Sequence, residues 1–146
     1  MSKLSKIILA LLLIYSCDRN KDVKLCEKYV ASGNGFFIQF KNIDTTSTIK
    51  ITTSKGKINY SRENLFNSNN ISYGVYGKIL LEDTLYVKLN SKTYKVYDFE
   101  NIEEEGIDGS NHRKIKVCRF CRATVNGTKI KDYRNNVLVF DKNILN

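Results

Sequence analysis

The sequence is poor in the residues on which most catalytic and metal sites depend. It has one histidine, four cysteines, no tryptophan and no proline. A Ser-His or Cys-His arrangement would therefore rest on His112 alone, which lies in the polar stretch "GSNHR" (109–113). The run "GVYGK" (74–78) lacks the spacing of a P-loop. These absences predict a protein that is not an enzyme and that has no resident cofactor or metal.

Carboxylates are the exception, because six of them lie in "DFENIEEEGIDG" (98–109) with two glycines. Such a segment could supply oxygen ligands to calcium, but its spacing does not match the EF-hand loop. It is also weak evidence for glycoside hydrolysis, which needs two carboxylates at a fixed separation across a cleft. We therefore predict that residues 98–109 form a solvated loop between two strands.

The one long apolar run, Ile7–Tyr15, has nine residues and follows two lysines. A membrane-spanning helix needs about 20 apolar residues, so this run is too short to be one. A positive start, a short apolar stretch and a small residue are typical of a secretory signal, predicted here over residues 1–16. The end of the run, "IYSC" (14–17), resembles the lipobox of bacterial lipoproteins.

The resemblance covers residues 1–17 only, and it implies that Cys17 becomes the acylated N-terminus. Two or more acyl chains hold a protein firmly on a membrane, whereas one chain binds only marginally. The expected location is the cell membrane or the outer membrane, facing the periplasm or the exterior. Residues 17–24 would then be the lipidated cysteine and a polar tether, and residues 25–146 a single domain.

The chain is basic, with a net charge of +9, and loses two lysines with residues 1–16. A basic envelope protein tends to meet anions such as lipid headgroups, anionic glycans or acidic proteins. A surplus of solvated lysine is the alternative explanation.

Most of the sequence after residue 34 alternates apolar and polar residues and is rich in β-branched and aromatic types, as strands are. Turn signals such as "NG" (126–127) separate the runs. The pattern predicts a mainly β domain, an antiparallel sandwich or small barrel of eight or nine strands. The predicted strand runs are 35–40, 48–53, 57–61, 71–81, 84–90, 92–99, 113–125, 128–134 and 137–140.

One short helix is expected before the strands. Val23, Cys26, Tyr29 and Val30 recur at helical steps, and "SGNG" (32–35) would end the helix. We expect eight to ten helical residues.

Asn126-Gly127 predicts a two-residue hairpin turn, because both residues tolerate positive φ. The turn fixes a register that sets Arg122 against Lys131, although like charges directly opposite each other cost some stability. The resulting face mixes cations with aromatic rings, a combination that can hold an anionic group and stack on a sugar. A solvated outer face is the alternative. The candidate binding residues are Lys116, Phe120, Arg122, Lys129, Lys131 and Tyr133.

Three cysteines remain after Cys17, and export makes pairing the default. "CRFC" (118–121) has too few further ligands for zinc, and within a strand its two cysteines point to opposite faces unless a bulge intervenes. Cys121 shares its parity with the expected core face. A Cys26–Cys121 disulfide that pins the helix to the sheet is favoured, with Cys118 as the alternative partner of Cys26.

These observations predict a lipid-anchored envelope protein that acts as a binding module through the basic-aromatic hairpin face. The partners expected are the membrane and either an anionic ligand or a protein, with nucleic acid disfavoured by export. The alternatives are an inhibitor or immunity-type lipoprotein that caps a toxin or hydrolase, and an assembly accessory of a larger envelope complex.

Overall fold

The computed structural model describes residues 24–44, 46–63, 70–131 and 136–145. The predicted signal, Cys17 and most of the tether lie outside these ranges. In the described ranges the strands are β1 (Phe36–Phe40), β2 (Ile49–Thr53), β3 (Gly56–Lys57), β4 (Asn59–Glu63), β5 (Ile71–Tyr76), β6 (Leu85–Leu89), β7 (Lys92–Ile107), β8 (Lys114–Val125), β9 (Thr128–Lys131) and β10 (Val137–Phe140). A helical turn, α1 (Lys142–Leu145), follows β10.

The strands form two sheets that face each other as in a sandwich and do not close into a barrel. One sheet has the order β10-β1-β5-β4, and the other has the order β3-β2-β6-β7-β8-β9. The mainly β prediction is confirmed. One pair, β1 with β10, runs parallel, which a sequence pattern of alternation cannot distinguish from antiparallel pairing.

Both sheets contribute to one hydrophobic core. Alternate side chains of β6 point inward, so Leu85 and Val87 are fully buried. Phe36 from the four-stranded sheet meets Phe120 from the six-stranded sheet, with 5.2 Å between ring centroids. Phe99 completes this group at 5.9 Å from Phe36.

The predicted helix of eight to ten residues is wrong in length. Residues 24–26 are helical, and a short 3₁₀ turn follows at Val30–Gly33. Ala31 and Ser32 have φ of 48° and 56°, a left-handed backbone that an α-helix cannot continue. Among the described helices, none is long and apolar enough to cross a membrane.

Asn101 on β7 holds this N-terminal segment against the six-stranded sheet. Its amide Nδ2 donates to the carbonyls of Cys26 and Tyr29, at 2.6 and 2.7 Å. Its Oδ1 accepts from the backbone N–H of Ala31 at 3.0 Å. One side chain thereby binds three backbone groups of a segment some 70 residues away.

The predicted loop over residues 98–109 is wrong, because β7 continues to Ile107 and pairs with β8 from Val96 to Ile107. The acidic run faces a basic one, and cross-strand ion pairs join Glu103 to Lys116 and Glu105 to Lys114. Opposite charges across a strand pair favour the ladder. We call residues 101–107 and 114–119 the arm.

The hairpin of β8 and β9 has the predicted turn and register. Asn126 and Gly127 both have positive φ, and Arg122 lies opposite Lys131. The Oδ1 of Asn126 also accepts from the backbone N–H of Lys95 at 2.8 Å, which ties the turn to β7.

Candidate anion-binding face

The six-stranded sheet presents a basic surface on the side away from the core. Strand alternation that buries Ile51, Val87, Val96 and Val125 turns their neighbours outward. We call this surface the basic outer face. Its members are Lys50, Tyr86, Lys88, Lys95, Tyr97 and Lys129.

Two lysines of this face sit directly opposite each other, because the register pairs Lys50 on β2 with Lys88 on β6. Both are exposed. Like charges at paired positions destabilise a sheet, so strand pairing alone gives no reason for this arrangement. A negatively charged ligand above the pair would remove the repulsion.

The tyrosines lie among these cations. Lys95 is the cross-strand partner of Tyr86, and its Nζ lies 5.1 Å from the centre of the Tyr97 ring. Tyr97 in turn pairs with Thr124, which pairs with Lys129 on the next strand. Two rings and two ammonium groups therefore share the outer side of β6, β7 and β9, with Thr124 of β8 between Tyr97 and Lys129.

The face is broad. With neighbouring strands about 4.8 Å apart, the four intervals from β2 to β9 set Lys50 about 20 Å from the strand of Lys129. Such spacing suits a row of anionic groups, as on a polymer or a lipid surface, better than one small molecule.

Two acidic residues, Asp98 and Glu100, lie near the basic outer face, and one of them is paired with an arginine. Glu100 lies opposite Arg122, and its Oε2 is 3.0 Å from the guanidinium Nε. Asp98 occupies a bulge of β7 with a φ of 51°. The four lysines of the basic outer face outnumber these acids, so the surface has a surplus of positive charge.

The predicted binding residues divide between several places. Lys129 belongs to the basic outer face. Arg122 is half-buried and paired with Glu100, and Lys116 is paired with Glu103 on the opposite side of β8. Lys131 lies opposite Arg122 by register, while its side chain and the whole of Tyr133 lie outside the described residues.

The prediction that Phe120 lies on an exposed face is wrong, since Phe120 is 1% exposed and belongs to the core. The cause is a bulge in β8. Glu100 faces Arg122 while Asn101 faces Phe120, so Cys121 is an extra residue between them. On the N-terminal side of Cys121, each residue of β8 therefore points to the face opposite to the one that unbroken alternation predicts. Phe120 accordingly lies on the inner side, as Ala123 does.

The same bulge determines which cysteine of β8 pairs with Cys26. Cys118 shares the inner side with Phe120, and it bonds to Cys26 with 5.6 Å between Cα atoms. Cys121 is a buried free thiol. The favoured Cys26–Cys121 pairing is therefore wrong and the alternative, Cys26–Cys118, is correct. The expectation that the disulfide fastens the N-terminal segment to the sheet holds.

A second cationic feature was not predicted. A cleft of about 310 Å³ beside the β2–β3 turn contains Lys55, Lys57 and Lys78. Its buried carboxylate, Asp83, is paired with Lys55 at 2.8 Å and accepts from the backbone N–H of Leu80. The only hint in the sequence is "SKGK" (54–57), because Lys78 and Asp83 reach the cleft from a separate loop.

The described ranges contain no group of three or more histidine, cysteine, aspartate or glutamate side chains arranged to hold a metal ion. His112 lies exposed in the turn between β7 and β8.

No protein-family model, curated protein or solved structure matches the chain.

Proposed function

We propose that the protein is a lipid-anchored envelope protein that binds an anionic ligand through the basic outer face. The observation that carries this proposal is the directly opposed pair Lys50 and Lys88, set among Lys95, Lys129 and two tyrosines. The lipobox-like "IYSC" supports the proposed location at the cell envelope. The candidate site therefore shifts from the predicted hairpin face to the middle of the six-stranded sheet.

The ligand class follows from the chemistry of the face. Lysine ammonium groups attract phosphates and carboxylates, and tyrosine rings can lie against a sugar or at the level of lipid headgroups. Lipid headgroups and anionic glycans both present such groups in rows. Export makes nucleic acid a poor candidate.

The test compares two double variants of equal charge. K50Q/K88Q removes the opposed pair, whereas K24Q/K41Q removes two exposed lysines elsewhere on the chain. Each full-length protein, held in nonionic micelles, is titrated with labelled polygalacturonate and, separately, with phosphatidylglycerol added to the micelles. At about 1 kcal/mol per lysine near an anionic surface, K50Q/K88Q should weaken binding roughly tenfold or more.

K24Q/K41Q should change the affinity much less, and binding by the unaltered protein should weaken as salt is raised from low to physiological strength. Equal affinities for both double variants would place the anion elsewhere and refute the proposal. Salt-insensitive copurification with one envelope protein, unchanged in K50Q/K88Q, would favour the inhibitor or accessory function instead.

A further inference from the structure

The arm extends beyond the strands that flank it. β6 pairs with β7 only as far as Val96, and β9 pairs with β8 only from Arg122 toward the turn. Among the described strands, residues 101–107 and 114–119 therefore form a two-stranded ribbon. No described strand packs over the outer side of this ribbon, and the apolar side chains there are partly exposed.

Apolar side chains nevertheless line that outer side. The outward positions carry Ile102 on β7 and Ile115 and Val117 on β8. Ile102 and Ile115 are 37% and 42% exposed, and Ile107 at the tip, which pairs with Lys114 on the inner side, is 70% exposed. Three of the five large hydrophobic residues that the described chain exposes lie on the arm.

Gly106, which pairs with Ile115, lets Ile115 and Val117 lie next to each other, while the Glu104–Arg119 ion pair lies between Val117 and Ile102 on the same side. A Cβ at this position would lie 2.5 Å from the Cγ2 of Val117 and 3.7 Å from Ile115. The absent side chain lets Val117 and Ile115 cover the backbone of β7. A residue with a side chain here would displace the side chain of Val117.

The charges of the arm are matched in pairs. Glu104 and Arg119 meet at 3.3 Å on the outer side, and the inner side has the pairs Glu103–Lys116 and Glu105–Lys114. Paired in this way, the acidic run adds little net negative charge that an anionic surface would repel.

The apolar strip and the basic outer face lie on the same side of the sheet. Glu100 and Arg122 face outward between them, and the bulges at Asp98 and Cys121 keep the two strands in phase across the junction. The combined surface presents lysines and tyrosines next to an isoleucine-rich strip. Basic residues bind anionic headgroups, aromatic rings favour the interface, and aliphatic residues enter the acyl region.

The predicted anchor is attached at the root of this arm. The Cys26–Cys118 disulfide joins the N-terminal segment to β8 where the arm begins. Cys17 lies nine residues before Cys26, and nine extended residues span at most about 30 Å. A lipid on Cys17 would hold the arm within that distance of the bilayer.

We propose that the outer side of the arm inserts into the surface of the bilayer that anchors the protein, with Ile102, Ile115 and Val117 as the inserted residues. This inference rests on the proposed function and narrows its ligand to anionic lipid headgroups. The lipid anchor and two surface contacts would then fix the orientation of the domain on the membrane, which a single point of attachment cannot do.

The test uses the absence of tryptophan from the chain. Ile115→Trp places a single fluorophore on the strip, and Ile102→Trp repeats the measurement at a second position. Tyr76→Trp is the matched control, because Tyr76 is 41% exposed and follows the buried Val75 on β5 of the other sheet, so that it points away from the core. Each full-length variant is reconstituted into vesicles of phosphatidylcholine and phosphatidylglycerol that contain lipids brominated on the acyl chain.

Insertion by the usual 5–10 Å should remove at least about half of the emission of I115W and I102W and shift it to the blue, while Y76W keeps its emission. Absence of quenching at both arm positions overturns the inference. Unquenched arm tryptophans together with a dimer in the vesicles would instead assign the strip to a second copy of the chain.

The two proposals can fail separately. Quenched arm tryptophans with unchanged anion binding by K50Q/K88Q would support insertion and refute the role of the basic outer face. Lost anion binding by K50Q/K88Q with unquenched arm tryptophans would support the role of the basic outer face and refute insertion. Glycans would then remain as the ligand. Unchanged thiol reactivity of each variant, with the disulfide intact, verifies that the tryptophans have not disrupted the fold.

Discussion

The two halves of the β7–β8 hairpin are held together by different forces. Near the turn of β8 and β9, side chains such as Val96, Ala123 and Val125 are buried between two sheets. Farther along the same two strands, charged pairs and half-exposed isoleucines take their place. One pair of strands, interrupted by two bulges, thus passes from a packed core to a two-stranded ribbon.

The comparison indicates where the stability of the fold resides. Burial of large side chains contributes several kcal/mol each, whereas exposed ion pairs contribute about 0–1 kcal/mol. The core between the two sheets can therefore hold the fold while the arm adds little stability, which fits the proposed contact of the arm with a bilayer. The ion pairs of the arm set its register more than they stabilise it.

The largest expected effect is in the core. Phe120→Ala removes the ring that contacts Phe36 and Phe99, so the free energy of unfolding should fall by about 3–5 kcal/mol. Ile115→Ala on the arm should change it by no more than about 0.5 kcal/mol. Urea unfolding of both variants, followed by circular dichroism, makes the comparison. Similar losses would mean that the arm packs against a part of the chain outside the described residues.

The disulfide at the junction should have the next largest effect. Cys118→Ala opens a loop of 92 residues and should destabilise the protein by about 2–4 kcal/mol relative to the disulfide-bonded form. Cys121→Ala should keep the disulfide and lose only a small buried side chain. Thiol counting before and after reduction, alongside urea unfolding, distinguishes the two.

If Cys121→Ala rather than Cys118→Ala abolished the disulfide, the pairing would be Cys26–Cys121. The bulge in β8 would then have to lie elsewhere, and the assignment of Phe120 to the core would fail with it.

Much of the fold was predictable from the alternation of residues. Runs such as 35–40 and 137–140 became β1 and β10 almost unchanged, and Asn126-Gly127 fixed the last hairpin. These features are local, because side-chain period and turn preference act over a few residues. The parallel pairing of β1 with β10 joins distant segments, and no local pattern encodes it.

The errors over Phe120 and the disulfide share one physical origin, which is the bulge at Cys121. A bulge adds one residue and reverses the inward and outward positions beyond it, so Phe120 and Cys118 changed sides. The acidic run after Phe99 looked like a loop because it lacks alternation. Its complement is the basic start of β8, and matching the charges of "EEE" to those of "RKIK" would have revealed the strand.

The smallest expected effect concerns an exposed hydrogen-bonded pair on the four-stranded sheet, Tyr76 and Glu63, which can be compared with the ion pairs of the arm. The hydroxyl of Tyr76 donates to the carboxylate of Glu63 at 2.6 Å. This hydrogen bond, with a second from Ser61, lowers the pKa of Glu63 below its ordinary value of 4.5. Tyr76→Phe should therefore raise the pKa of Glu63, as an NMR titration of its side-chain carboxyl carbon would show.

The pH dependence follows from the direction of that shift. A lowered carboxyl pKa stabilises the fold above the pKa of the unfolded chain, and the contribution disappears as the pH falls through the lowered value. The difference in stability between the native protein and Tyr76→Phe should accordingly be present at neutral pH and vanish in acid. A difference that persisted after Glu63 is protonated would show that the ring packing of Tyr76, rather than its hydrogen bond, holds this edge of the sheet.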